Sequence, residues 1–147
     1  MVALVEPAIV LDSSAIASIF FKDRLEKQVV ETIENYERFK TLDIAFAEIA
    51  SVAWKGVVIF KQSFQVTSEA LKQATSFIQD NCDVVSSREV ISEAFELGTK
   101  HNIQVYDSSF LSLARKLECK VLTTDERLHN KVKEIKELRG LTILGSA

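Results

Sequence analysis

With a single proline (Pro7) and four glycines among 147 residues, the chain has little material for long irregular loops. Helices and strands joined by tight connections are therefore expected. Its two cysteines, Cys82 and Cys119, lie far apart with no histidine at ligand spacing. This excludes a structural zinc site, which needs about four such ligands, and free thiols are expected rather than a bridge. The two histidines, His101 and His129, sit in polar surroundings and read as surface residues rather than catalysts. No apolar run approaches the roughly 20 residues that span a bilayer. The first basic residue is Lys22, so no basic leader region is evident and a soluble, cytoplasmic protein is expected. Nor is there an excess of positive charge: 18 Lys and Arg against 21 Asp and Glu leave a net charge of −3. That excludes a strongly basic nucleic-acid binder. It leaves open a metal-dependent nuclease, which concentrates carboxylates in its site and needs only a local rim of cations for phosphates.

What is present is a composition that is 47% hydrophobic and 27% charged, too apolar for a disordered chain. The length suits one ordinary domain, 1–147, with no repeat or linker. Ala8-Ile9-Val10-Leu11 reads as a buried strand ended by Asp12, with Ser13 or Ser14 capping the helix after it. Helical stripes follow over 25–39 (Leu25, Val29, Ile33, Tyr36), over 43–60 and from about Ser68 onward. Asp83-Val84-Val85 is a short strand candidate, after which Ser87 caps a helix whose stripe includes Val90, Ile91, Ala94 and Leu97. Asp107 opens the next helix. Val121-Leu122 forms a strand, Leu128, Val132 and Ile135 mark a last helix, and 141–144 is a terminal strand. Short apolar strands alternating with amphipathic helices predict an α/β domain whose parallel sheet is covered on both faces.

Most acidic residues fall on exposed helical faces, but four do not. Asp12 closes the first strand at its carboxyl end, the edge where open α/β sheets bind ligands, although an Asp there also reads as a local cap. Glu48 stands three residues after Ala45 and four before Val52, against the buried stripe of its helix. A carboxylate there must be paired, protonated or bound to a cation, and Lys55, two turns on, is the alternative partner. Asp107 continues the inward stripe of Phe110, Leu111 and Ala114, and equally reads as an N-cap. Asp125 stands three residues before Leu128 on the core side of its helix, where Thr124 can cap just as well and leave Asp125 free. Carboxylates brought together raise one another's pKa. A hard divalent cation such as Mg²⁺ or Mn²⁺ offsets that cost and suits in-line phosphoryl displacement by an activated water.

At these residues the chain resembles a family, the PIN domain, and within it the small VapC-type toxins of toxin–antitoxin pairs. The matching pieces are Ile9-Val10-Leu11-Asp12-Ser13-Ser14, Ala47-Glu48-Ile49-Ala50, the segment from Val105-Tyr106-Asp107 to Ala114, and Leu122-Thr123-Thr124-Asp125. The resemblance implies a three-layer α/β/α fold with a mostly parallel central sheet. It places Asp12, Glu48, Asp107 and Asp125 around one or two Mg²⁺ or Mn²⁺ ions that serve RNA cleavage. Ser14 matches the small polar residue that holds the first Asp, and Thr123 or Thr124 the hydroxyl beside the last. A homodimer and a cognate antitoxin are implied as partners. Two departures stand out: Ser108 replaces the usual Ala, and Leu117-Glu118-Cys119-Lys120 lacks the usual Gly, which concerns the turn rather than the chemistry. The position of Asp125 is the most variable of the set in the family, and Glu126 is a substitute or addition.

Competing readings are narrower. A phosphoaspartate enzyme of the haloacid-dehalogenase kind needs a second Asp where Ser14 stands, and the acidic pair of a receiver domain cannot be assembled. The alternative from another class is a PIN-like module without activity that binds or scaffolds. Lys22, Arg24, Arg38, Lys40 and Lys55 flank the first and third helices and are candidates for RNA contact. Trp54 reads as a packing or dimer residue.

Overall fold

Ile9, Val10 and Leu11 are wholly buried because the strand they form, β1 (Ala8–Leu11), runs through the middle of the sheet. A computed structural model describes residues 7–145, so both ends of the expected 1–147 domain lie outside the described residues. Among the described residues five strands form one parallel sheet. With β2 (Arg38–Leu42), β3 (Cys82–Val85), β4 (Lys120–Thr123) and β5 (Thr142–Leu144), the order is β3-β2-β1-β4-β5. In register, Val10 lies opposite Lys40 on one side and Val121 on the other. The chain builds outward from β1 to β2 and β3, then returns to place β4 on β1's free side. The carboxyl ends of β1 and β4 therefore flank the switch point, where an open α/β sheet leaves a crevice for ligands.

Helices cover both faces, as the all-apolar central strands require. α1 (Ser13–Phe20) packs on β1 and β4 and is surrounded by α2 (Glu26–Ile33), α3 (Ile44–Val58) and α4 (Phe64–Asn81). α6 (Val105–Leu117) packs on β1, β2 and β4 with α5 (Ile91–His101) against it, and α7 (Glu126–Glu134) lies on β5. The expected three-layer α/β/α architecture is what the chain adopts. Among the described residues no helix is long and apolar enough to cross a membrane. Cys82 and Cys119 are free thiols.

Several expected boundaries move. The helix predicted over 25–39 stops at Ile33, and Arg38–Leu42 is a strand, β2, that the sequence pattern had hidden. Arg38 and Lys40 alternate with Phe39, a strand's period of two, but two charges in three residues mask it as a solvated continuation of the preceding helix. In the fold Lys40 pairs with Asp83 across the β2–β3 ladder, so an interior strand keeps its charge compensated. α4 begins at Phe64 with Ser63 as its cap, not near Ser68. Ser86, not Ser87, caps the short 3-10 turn before α5, and Ile91 is exposed rather than part of the inward stripe.

The two departures from the family pattern have local explanations. Ser108 is fully buried, and its hydroxyl donates to the Ala94 carbonyl of α5 at 2.8 Å, so the extra polar atom at the α5–α6 contact is satisfied. Glu118 occupies the left-handed position that ends α6, with φ of 55°, where glycine is the usual residue. A side chain there is strained, so Glu118→Gly is expected to stabilise the protein by about 1 kcal/mol. The change should show as a higher urea midpoint with an unchanged slope.

Candidate functional site

The four singled-out carboxylates line one cavity of about 550 Å³ at the carboxyl edge of the sheet, although they come from four separate segments. Asp12 follows β1, Glu48 lies in the second turn of α3, Asp107 is the third residue of α6, and Asp125 follows β4.

Asp12 is the N-cap of α1, where Ser13 or Ser14 was expected. Its Oδ1 accepts the Ala15 N–H at 3.0 Å and the Ser14 hydroxyl at 2.6 Å. Only 6% exposed, its carboxyl is pushed from an ordinary 3.8 up to about 6 by burial. The Ser14 and Thr123 hydroxyls and the Ala15 N–H pull it back down, and the charge of Glu48 adds a further push upward.

Glu48 does not pair with Lys55. Its Oε1 accepts the Ser13 hydroxyl at 2.7 Å, and among the described residues it makes no ion pair. Burial raises its pKa and the Ser13 bond opposes the shift. Asp107 is not the N-cap of α6, a position that Gln104 holds without a side-chain bond. Its carboxyl is raised to about 6, first by burial and then by the charges of Asp12, Asp125 and Glu48. The mutual influence of these side chains is the electrostatic signature of a shared site.

Of the two alternatives for the cap of α7, Thr124 and Asp125, the fold uses Asp125. It is the N-cap of α7, its Oδ1 accepting the Leu128 N–H at 3.1 Å, and it sits exposed at the mouth of the cavity rather than on the core side. Its second oxygen remains available. Glu126 is exposed and does not line the cavity.

The first turn of α1 ties these pieces together. Ser13 reaches α3 through Glu48, while Ser14 bonds Asp12, meets the Thr123 hydroxyl at 3.2 Å and accepts the Thr124 N–H at 3.0 Å. Thr123 also accepts the Asp125 N–H at 3.1 Å, so its hydroxyl joins the ends of β1 and β4 while Thr124 contributes its backbone. The role of Ser13 was missed from sequence. Its signal was a second polar side chain in a helical first turn whose cap was already supplied by Asp12.

The lining holds four carboxylates and neither Cys nor His, an all-oxygen donor set that fits a hard divalent cation. Among the described residues no three of the His, Cys, Asp or Glu side chains are arranged to hold an ion by themselves. Coordination would therefore be completed by water, as Mg²⁺ ordinarily retains several waters. Of the five basic residues singled out, only Lys55 lines the cavity, and Lys22 lies on a hollow between α1 and α4. His101 pairs with Glu137, His129 shares a hydrogen bond with Thr142, and neither lines the cavity.

A family described as the PIN domain matches residues 9–134. The chain is 32% identical over 123 residues to Ribonuclease VapC3 of Pyrobaculum aerophilum, covering 84% of this chain and 93% of that protein. The crystal structure of PAE2754, also from Pyrobaculum aerophilum, superposes with a TM-score of 0.65 at 18% identity, covering 85% of this chain and 79% of the other. A toxin–antitoxin complex from Klebsiella pneumoniae gives 0.61 at 15% identity, covering 94% and 98%. At those identities the two structures speak to the fold alone.

Proposed function

The chain belongs to the PIN-domain family, and on that premise we propose that residues 1–147 act as a single-domain, VapC-type toxin endoribonuclease. Its reaction is the hydrolysis of RNA phosphodiester bonds, and its ions are Mg²⁺ or Mn²⁺. The observation that carries the reading is the convergence of Asp12, Glu48, Asp107 and Asp125 on one cavity at the sheet's switch point. A fold that gathers four like charges without pairing them gains nothing in stability, so the arrangement is explained by a cation.

Asp12, Glu48 and Asp107 would hold the ion, with Asp125 at the open side. When bound, a divalent ion supplies an acidified water and charge compensation on the phosphate. The chain's own groups do the rest. Ser14 fixes Asp12 in one rotamer and Ser13 fixes Glu48, so the oxygens are oriented before any ligand arrives. Thr123 and the Thr124 N–H keep the β4 end, and with it Asp125, against the first turn of α1. In the hydrolysis the water oxygen bonds to phosphorus as the bond from phosphorus to one ribose oxygen breaks, the proton of the water leaves to solvent or a nearby carboxylate, and the departing ribose oxygen takes up a proton from solvent to leave as a hydroxyl.

An antitoxin partner, a homodimer and a cytoplasmic location belong to the same reading. The exposed Trp54, Phe60, Phe64 and Val66 of the α3–α4 region support association with other chains. The test is calorimetry with Mn²⁺ alongside cleavage of a single-stranded RNA oligonucleotide. The wild type should bind Mn²⁺ and cleave, cleavage should stop in EDTA, and the Asp12→Asn, Asp107→Asn double variant should bind no ion. An ion-free wild type that leaves RNA intact would instead identify an inert binding module.

A further inference from the structure

Resting on the ribonuclease reading, we propose that Lys55 and Arg127 are phosphate-binding cations that hold an RNA strand across the carboxylate cavity from opposite sides. Lys55 follows Glu48 by seven residues on α3, which places both on one helical face with Ser51 and Val52 between them, all lining the cavity. Arg127 is the second residue of α7 and lines a separate hollow of about 340 Å³. That hollow shares Gln104, Asp107 and Asp125 with the carboxylate cavity. The two depressions thus meet at Asp107 and Asp125 and form one trough, with Lys55 at one end and Arg127 at the other.

Among the basic residues that line the trough, these two are the uncommitted ones. Both are exposed, and among the described residues neither makes an ion pair or a side-chain hydrogen bond. Lys27, Lys40, Lys100 and Lys116 are matched with Glu31, Asp83, Glu137 and Glu89. Lys131, which also borders the second hollow, gives its ammonium to the Asn102 carbonyl. A polyanion approaching a chain of net charge −3, and a cavity with four carboxylates, needs local cations. An uncommitted Lys and Arg on either side of the acidic groups meet that need without neutralising the carboxylates. The two ends also differ: apolar Ile44, Val52 and Phe110 lie on the cavity's side, while the Arg127 side is bordered by Asn102, Gln104 and Lys131. A base fits against the former beside the phosphate held by Lys55, and sugar–phosphate fits the latter.

The experiment measures binding of a fluorescent single-stranded RNA oligonucleotide in EDTA over a salt series, with cleavage in Mn²⁺ followed separately. Lys55→Ala and Arg127→Ala should each weaken binding several-fold, and each should reduce the slope of log affinity against log salt by about 0.7, the value for one phosphate contact on a single strand. Each should raise KM more than it lowers kcat, leave Mn²⁺ binding unchanged, and be largely rescued by Lys55→Arg and Arg127→Lys. Lys72→Ala, on the outer face of α4, serves as the control that should change nothing. Variants that keep the wild-type affinity and slope, or a wild type that binds no RNA in EDTA, would overturn the trough. Failure of the ribonuclease reading looks different, because the wild type would then not cleave in Mn²⁺ at all.

Discussion

Asp12→Asn should lower the rate of RNA cleavage by roughly 10²–10³-fold while the protein remains folded. The substitution is chosen because Asp12 has two separable roles. As the cap of α1 it accepts the Ala15 N–H and the Ser14 hydroxyl through one oxygen, and an Asn carbonyl oxygen can do both. As a buried anion beside Glu48 and Asp107 it supplies charge that an amide cannot. The cap and the hydrogen bonds therefore survive while the charge is lost. Single-turnover cleavage by the purified variant, with circular dichroism to verify the fold, separates the two roles. An unimpaired rate would remove Asp12 from the chemistry.

The second large effect is on stability. Asp12 holds its proton more tightly in the folded chain, at about 6, than in the unfolded chain, at the ordinary 3.8. The cost of burying its charge is therefore absent below about pH 4, grows as pH rises through 6, and is complete above that. The size follows from the shift, at about 3 kcal/mol. In EDTA, Asp12→Asn should consequently be more stable than the wild type at pH 7.5 and lose that advantage near pH 4. At pH 7.5 the difference should correspond to a Tm gap on the order of 10 °C. Asp107, raised for similar reasons, adds to the wild type's pH dependence in the same direction. Adding Mn²⁺ should raise the wild-type Tm at pH 7.5 and leave the variant's nearly unchanged. Melting curves at several pH values measure this, and a stability difference indifferent to pH would contradict it.

How far the sequence alone reaches depends on whether a residue's partner is local. Asp12 was legible because an all-apolar strand ends on a charge, and Glu48 because a carboxylate on an inward helical stripe needs an explanation. Asp107 was legible for the same reason, whereas the cap of α7 stayed open between Thr124 and Asp125, since either side chain can accept the N–H of a helix's first turn. β2 was not legible: what makes Arg38–Leu42 a strand is the ladder to β1 and β3 and the pairing of Lys40 with Asp83, all contacts distant in sequence. The Ser13–Glu48 bond spans 35 residues and was hidden for the same reason. Arg127 looked like one more charge on a solvated helix, and only the hollow it shares with Asp107 and Asp125 sets it apart.

The position of β4 has a consequence for how such an enzyme is made. β1 is synthesised well before its second neighbour: β4, and Asp125 just beyond it, arrive more than a hundred residues later. A growing chain still attached to the ribosome therefore carries Asp12 and Glu48 without the segment that closes the cavity around them. An enzyme that attacks RNA thus remains incomplete toward the messenger and ribosome producing it until Asp107, β4 and Asp125 have been made.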